Sequence, residues 1–302
     1  MLDPALAAVA PTSTDLSAQG IPAVRASLAQ RRRAAAQAID PVGVRVSAAA
    51  AGRVPVRIYR GGTGTADPAV VYCHAGAFVL GDLDTDHLQC LELARRTGCS
   101  VISVDYRLAP EHRHPAALHD ALAVLGWVAD NARKLDIDPG RLAVAGSSAG
   151  AALAAGLAAH AADGQAPPVV MQVLHQPVLD DRVTASKQHF AAAPGFDGVA
   201  AGQMWRHYLG DTAPTAAAVP ARRADLTGLA PAFISCSQLD PLRDEALDYA
   251  RRLLDAGVDT ELHLFAGTCH GFDSLLPDWV ISQRLFEMQA AALRRGFSGR
   301  RT

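Results

Sequence analysis

Short apolar runs recur along this chain at intervals that leave room for one helix between each pair. Residues 69–73 read Ala-Val-Val-Tyr-Cys and residues 100–104 read Ser-Val-Ile-Ser-Val; runs of the same kind stand at 141–145, 169–173, 232–236 and 260–264. Runs this short, rich in β-branched residues and without period-2 alternation, predict strands buried on both faces. Ahead of them, residues 44–60 do alternate, around a turn at Ala51-Gly52-Arg53, and predict two antiparallel strands. Helical spacing predicts helices over 86–97, 115–135, 148–162, 243–256 and 279–295. The sum is a mostly parallel sheet of about eight strands, covered by helices on both sides. The first forty residues are alanine-rich and helical, interrupted by Pro11 and Pro22. Residues 180–231 break the alternation: they hold helical pieces and several prolines but no good strand. In such a sheet an insertion of this kind sits over the strand ends, where ligands bind.

Composition narrows the picture. A chain of 302 residues, half of them hydrophobic, can bury one large core, so residues 1–302 are read as one domain without repeats or a disordered linker. The net charge of −2 gives no footprint for nucleic acid and no polybasic membrane anchor. No apolar stretch reaches the length of about 18 residues that a membrane span requires. Residues 1–20 lack the positive start, apolar run and cleavage site of a signal peptide. The five cysteines are scattered, with no CxxC pair, which argues against a disulfide framework or a zinc knuckle. The expected home is a reducing cytoplasm. The last helix offers a surface to a second copy, so a homodimer is compatible with the pattern.

The strand at 141–145 runs straight into Gly146-Ser147-Ser148-Ala149-Gly150 and then a helix. G-x-S-x-G between strand and helix is the signature of a nucleophilic serine held on a strained turn, its glycines letting neighbouring backbone pass. Ser148 sits at the motif's centre; around Ser147 the flanking glycines would be Ala145 and Ala149. A serine hydroxyl needs a base, and the base an orienting carboxylate. Enzymes with this elbow order them serine, acid, histidine. After Ser148 the chain offers Asp240, just past a strand, and His270, just past the last strand. Both fall at carboxyl ends of strands, the same sheet edge as Ser148. Asp244, one helical turn after Asp240, reads as a structural carboxylate. His263 lies inside a strand, and His175 precedes the acid in the wrong order. His112, His114 and His119 lack the company that zinc ligands need. Phe196, Trp205 and Tyr208 stand either along a substrate pocket or in the insertion's own core.

With these residues in place the chain resembles the hormone-sensitive-lipase-like branch of the α/β-hydrolases, the bacterial family IV esterases, over residues 40–302. The segments that carry the likeness are His74-Ala-Gly-Ala-Phe-Val-Leu-Gly81, Asp105-Tyr-Arg-Leu-Ala-Pro-Glu-His112, Gly146-Ser-Ser-Ala-Gly150, Asp240-Pro-Leu-Arg-Asp-Glu245, His270-Gly-Phe272 and Met204-Trp-Arg-His-Tyr-Leu-Gly210. The resemblance implies a Ser148–Asp240–His270 triad and an oxyanion hole made by backbone N–H groups of Gly76, Ala77 and Ala149. It implies structural roles for His74, Arg107 and Glu111, and a cap built from about 1–40 and about 180–225. It implies hydrolysis of a short- to medium-chain carboxylic ester through an acyl-enzyme, with no metal and no cofactor. Three positions depart from the family's pattern. The usual HGGG is His74-Ala75-Gly76-Ala77, where each added methyl is expected to need φ < 0, and Ala77 is expected to narrow the pocket against bulky alcohols. Ser147 replaces an acid, and Ala151 a glycine.

The same triad serves amidases and deacetylases, which differ in the leaving group, and a non-catalytic small-molecule binder on this fold would lack part of it. The acid limb of the pH–rate profile is expected near the unperturbed histidine value, about 6.5.

Overall fold

The computed structural model describes residues 1–299; residues 300–302, the end of the expected domain, lie outside the described residues. Eight strands form one sheet in the order β1-β2-β4-β3-β5-β6-β7-β8. They are β1 (Arg45–Ala51), β2 (Val54–Arg60), β3 (Asp67–Cys73), β4 (Ser100–Val104), β5 (Ile137–Ser147), β6 (Met171–His175), β7 (Ala232–Leu239) and β8 (Thr260–Cys269). β1 pairs with β2, and β2 with β4, antiparallel; every later pairing is parallel. The count and sense are those the apolar runs predict. The edges differ: β5 begins at Ile137, four residues before its apolar run, and β8 runs on to Cys269, so that His270 is the first residue beyond the strand.

The helices are α1 (Pro4–Ala7), α2 (Ile21–Ala38), α3 (His87–Thr97), α4 (Ala116–Asp130), α5 (Ala149–Ala162), α6 (Ala185–His189), α7 (Gly198–Leu209), α8 (Arg243–Asp255), α9 (Phe272–Leu275) and α10 (Val280–Ser298). Alternation along β3 sorts its side chains between two cores. Val71 and Cys73 join Leu118, Leu153, Leu157 and Leu253 from α4, α5 and α8. Val70 and Tyr72 join Leu91, Leu93, Leu285 and Leu293 from α3 and α10. A sheet buried on both faces explains why its central strands read as continuous apolar runs. α5 is buried along most of its length, and its alanines keep it close to the strands. Among the described residues no helix is long and apolar enough to cross a membrane.

The stretch expected to lack strands holds α6 and α7, and a buried ion pair fastens it to the sheet domain. Lys187 on α6 places Nζ 2.6 Å from Oε2 of Glu245 on α8. Oε1 of Glu245 accepts the N–H groups of Leu179 at 2.7 Å and Asp180 at 3.3 Å. Burial pushes the Glu245 carboxyl up to about 7, against the pull of Lys187 and these N–H groups. Nearby, Asp244 accepts the N–H of Ser186 at 2.7 Å, the structural part read for it. Removing one member of a buried pair strands the other without a partner, which costs about 3–5 kcal/mol. Lys187→Met is therefore expected to lower unfolding stability by about that amount in urea titration, and Lys187→Met/Glu245→Gln by less.

Candidate active site

The elbow is tight because atoms from three strands and a helix meet there. Ser148 stands between β5 and α5 with φ 56° and ψ −117°, a conformation that L-residues avoid. A Cβ on Gly150 would come within 2.0 Å of the Cys73 carbonyl oxygen, and one on Gly146 within 2.4 Å of Gly150's backbone. Both positions of the motif are thus closed to any side chain. Two backbone bonds hold the serine itself: Ser148 N–H donates to the His175 carbonyl at 2.8 Å, and Val178 N–H donates to the Ser148 carbonyl at 3.1 Å.

The three residues expected from the sequence meet in line. His270 Nε2 lies 3.0 Å from Ser148 Oγ, and its Nδ1 lies 2.8 Å from Asp240 Oδ2. A carboxylate only accepts, so Nδ1 carries the proton and Nε2 faces the serine hydroxyl as acceptor. The other oxygen of Asp240 accepts the Leu242 N–H at 2.8 Å, which fixes the carboxylate's rotation. Burial alone would push the His270 imidazole down. The charge and hydrogen bond of Asp240, with weaker pulls from Asp273 and Glu245, outweigh it and hold His270 above its ordinary value.

The loop after β3 lies opposite. Gly76 has φ 133°, and a Cβ there would meet the Leu80 carbonyl oxygen at 2.1 Å. Ala77 does not take the negative φ expected of it: it stands at 54°, and Phe78 after it at 61°. The surroundings impose this. Val79 and Leu80 both donate to the Gly76 carbonyl, at 3.0 and 2.8 Å, and Ala109 donates to the Phe78 carbonyl at 2.9 Å. Among the described residues the N–H groups of Gly76 and Ala77 donate to no other backbone or side-chain group. Ala149, first in α5, has an N–H without an intrahelical partner. All three expected donors are therefore uncommitted beside the serine. Beneath the loop, buried Asp86 accepts from Ala75 N–H at 2.8 Å and Tyr72 hydroxyl at 3.0 Å. His74 is buried, stacks on Tyr106 and donates from Nδ1 to the Ala75 carbonyl at 2.7 Å. Arg107 forks onto Asp120, and Glu111 onto Arg25 of α2.

A cavity of about 350 Å³ opens over Ser148 and His270. Its lining includes Gly76, Ala77, Ser147, Leu28, Leu275 and Phe196, the last with its ring 4.9 Å from the His270 ring. Trp205 and Tyr208 are buried with Phe78 and do not line it, so they belong to the core. A larger hollow, about 600 Å³, lies at the opposite edge, where β6, β7 and β8 begin, and its lining has no serine, cysteine or histidine.

Two side chains that the spacing did not single out hold the His270 loop. Gln176, the residue after β6, is wholly buried with φ 45°. Its Nε2 donates to the Cys269 carbonyl at 3.1 Å and its Oε1 accepts the Gly271 N–H at 2.7 Å, so one side chain grips both neighbours of His270. Asp273, in α9, pairs at 3.2 Å with Nε2 of His175, whose Nδ1 meets Ser235 at 2.8 Å. His175 is thus no rival base but a buried strut, and its own carbonyl holds the serine. Despite burial, His175 and Gln89 keep the Asp273 carboxyl down to about 2. The only sequence signal for Gln176 is the polar pair His175-Gln176 at the end of an apolar run, and Asp273 has none. A misplacement near 1 Å costs on the order of a hundredfold in rate. Gln176→Ala is accordingly expected to lower kcat for an ester by about that factor while KM moves little. Steady-state kinetics on the folded variant decide this; an unchanged kcat removes the gripping role.

A family model described as alpha/beta hydrolase fold matches residues 70–274. The chain is 43% identical over 209 residues to esterase LipI of Mycobacterium tuberculosis, a stretch covering 68% of this chain but only 65% of LipI, just under two thirds. It is 39% identical over 226 residues to carboxylesterase NlhH of the same species, covering 72% of this chain and 71% of NlhH. Among solved structures, esterase LipW from Mycobacterium marinum matches with a TM-score of 0.97 at 60% identity, over 99% of this chain and 96% of LipW. The chain belongs to the α/β-hydrolase fold family, in its hormone-sensitive-lipase-like branch of esterases and carboxylic ester hydrolases.

Proposed function

We propose that this protein hydrolyses short- to medium-chain carboxylic esters through an acyl-enzyme on Ser148. The single observation that carries the reading is His270 bridging Ser148 and Asp240, at 3.0 and 2.8 Å, on the floor of the 350 Å³ cavity. His270 Nε2 takes the Ser148 hydroxyl proton as Oγ attacks the ester carbonyl. The oxyanion receives the N–H groups of Gly76, Ala77 and Ala149, which are free to donate without prior rearrangement. His270 returns its proton to the departing alcohol. Water then enters, loses a proton to His270, and releases the acid from Ser148. Asp240 holds the tautomer and stabilises the imidazolium between steps. Residues of about 1–40 and about 180–225 serve as the cap over this cavity, supported by the Pro11, Leu16, Leu28 and Phe196 side chains along its lining. The five cysteines are free and buried, which supports a reducing compartment, the cytoplasm.

Ser148→Ala is expected to abolish turnover of p-nitrophenyl butyrate, and an alkyl phosphonate is expected to label wild-type Ser148 and leave the variant untouched in intact-mass spectra. Retention of most activity would remove Ser148 from the nucleophile's place. The pH profile gives a separate check. The base works only when neutral, and Asp240 holds His270 above its ordinary value. The acid limb of kcat/KM is therefore expected on the alkaline side of about 6.5, with activity lost as pH falls through it. This shifts the limb upward from the sequence-based expectation, and a limb at or below that value contradicts the role given to Asp240.

A further inference from the structure

The substrate cavity has a charged wall that the reaction does not use. Leu28, Arg31, Arg32 and Ala35 of α2 all line it. Their spacing, i, i+3, i+4 and i+7, is one face of a helix, so α2 sets two arginines, exposed Arg31 and half-buried Arg32, along the cavity that holds Ser148. No aspartate or glutamate lines that cavity. By contrast Arg25, about two turns earlier, is paired: it forks onto Glu111 and also donates to the Val79 and Ala109 carbonyls. Arg31 reaches only the Ser27 carbonyl of its own helix, at 3.4 Å. Arg32 is half-buried, and among the described residues it makes no hydrogen bond and no ion pair. The buried carboxylates that feel the Arg32 charge, Asp86 and Asp273, take their hydrogen bonds from other groups: Asp86 from Tyr72 and Ala75, Asp273 from His175 and Gln89.

A half-buried guanidinium without a hydrogen-bonded acceptor is costly to maintain, and its fork matches a carboxylate. We infer that Arg31 and Arg32 form an anion-recognising wall in the substrate cavity, and that this protein's preferred substrates are esters bearing a carboxylate or similar anionic group on one arm. The inference rests on the ester-hydrolase reading and deepens it. The carboxylate stays ionised throughout the reaction; it orients the ester and takes no part in bond making.

Two matched pairs of substrates test it at pH 8, where the carboxylates are ionised. Monoethyl succinate against ethyl pentanoate places the anion on the acyl arm. 4-Acetoxybutanoate against pentyl acetate places it on the alcohol arm. The readout is the kcat/KM ratio of anionic to neutral ester within each pair. In at least one pair the ratio is expected to drop about fivefold or more in Arg31→Gln/Arg32→Gln. In the same pair, Arg32→Lys is expected to keep part of the ratio, and raising salt from 20 mM to 0.5 M is expected to lower it in the wild type, since screening shortens the reach of the charge. The single Arg31→Gln and Arg32→Gln variants repeat the measurement should the double variant fold poorly. Ratios that stay unchanged in both pairs across these variants overturn the inference and leave the esterase reading standing. A wild-type protein inert toward all four esters overturns the esterase reading itself.

Discussion

One backbone conformation governs the site. Ser148 sits at φ 56° and ψ −117°, and strain of this sort costs about 1–3 kcal/mol unless its surroundings over-determine it. Here they do. The carbonyl of His175 takes its N–H, the N–H of Val178 takes its carbonyl, and two glycines admit the Cys73 and Gly150 backbones to distances no Cβ would survive. The return is geometric. With the turn made in one residue, Oγ stands clear of strand and helix, and the first N–H of α5 is left facing the same space. The strain and the chemistry are one feature seen from two sides.

The segment 175–178, at the end of β6, also steadies His270. His175 and Val178 fix Ser148 through their backbones, while the side chains of His175 and Gln176 reach across to Asp273 and to both peptides flanking His270. Serine and histidine are 122 positions apart in sequence, yet they are referenced to one short segment. That shared reference explains how a hydrogen bond of 3.0 Å persists between groups carried on separate loops. The acid is referenced differently: Asp240 is tied to the start of α8, and Glu245 on α8 binds Lys187 and the 179–180 backbone. The insertion and Asp240 therefore share an anchor, so the cavity wall and the hydrogen-bonded line of Ser148, His270 and Asp240 are mechanically joined.

Much of this could be read from residue order. Strands buried on two faces announce themselves as apolar runs, and the elbow announces itself because no side chain fits at Gly146 or Gly150. Asp240 and His270 were legible because each directly follows such a run. Gln176 was not: a glutamine after a strand looks like any surface polar residue, and its value lies in the Cys269 and Gly271 peptides that the fold brings to it. Nor were the backbones of Ala77 and Phe78. Local propensity places both at negative φ, and the turn's own hydrogen bonds to Gly76 together with the tertiary bond from Ala109 override it. His175 was discounted by its order in the chain, which is a sound rule for a base and says nothing about a strut.

The first forty residues show where sequence reading runs out. The family match begins at residue 70, so α2 lies outside it, and the helix has only one buried residue, Ile21, to mark a face. Propensity makes it a helix; it does not say where the helix goes. Its position comes from Arg25, whose guanidinium joins the Val79 and Ala109 carbonyls to Glu111 and so clamps α2 on the loop that carries Gly76 and Ala77. Once that clamp is made, helical periodicity decides the rest: the residues three, six, seven and ten places after Arg25 are those along the cavity. Chemistry common to the family is held by the sheet edge. The arginines along the cavity are carried by a segment that Arg25 clamps to that edge and that Leu16, Ile21, Val24 and Leu28 pack against the core.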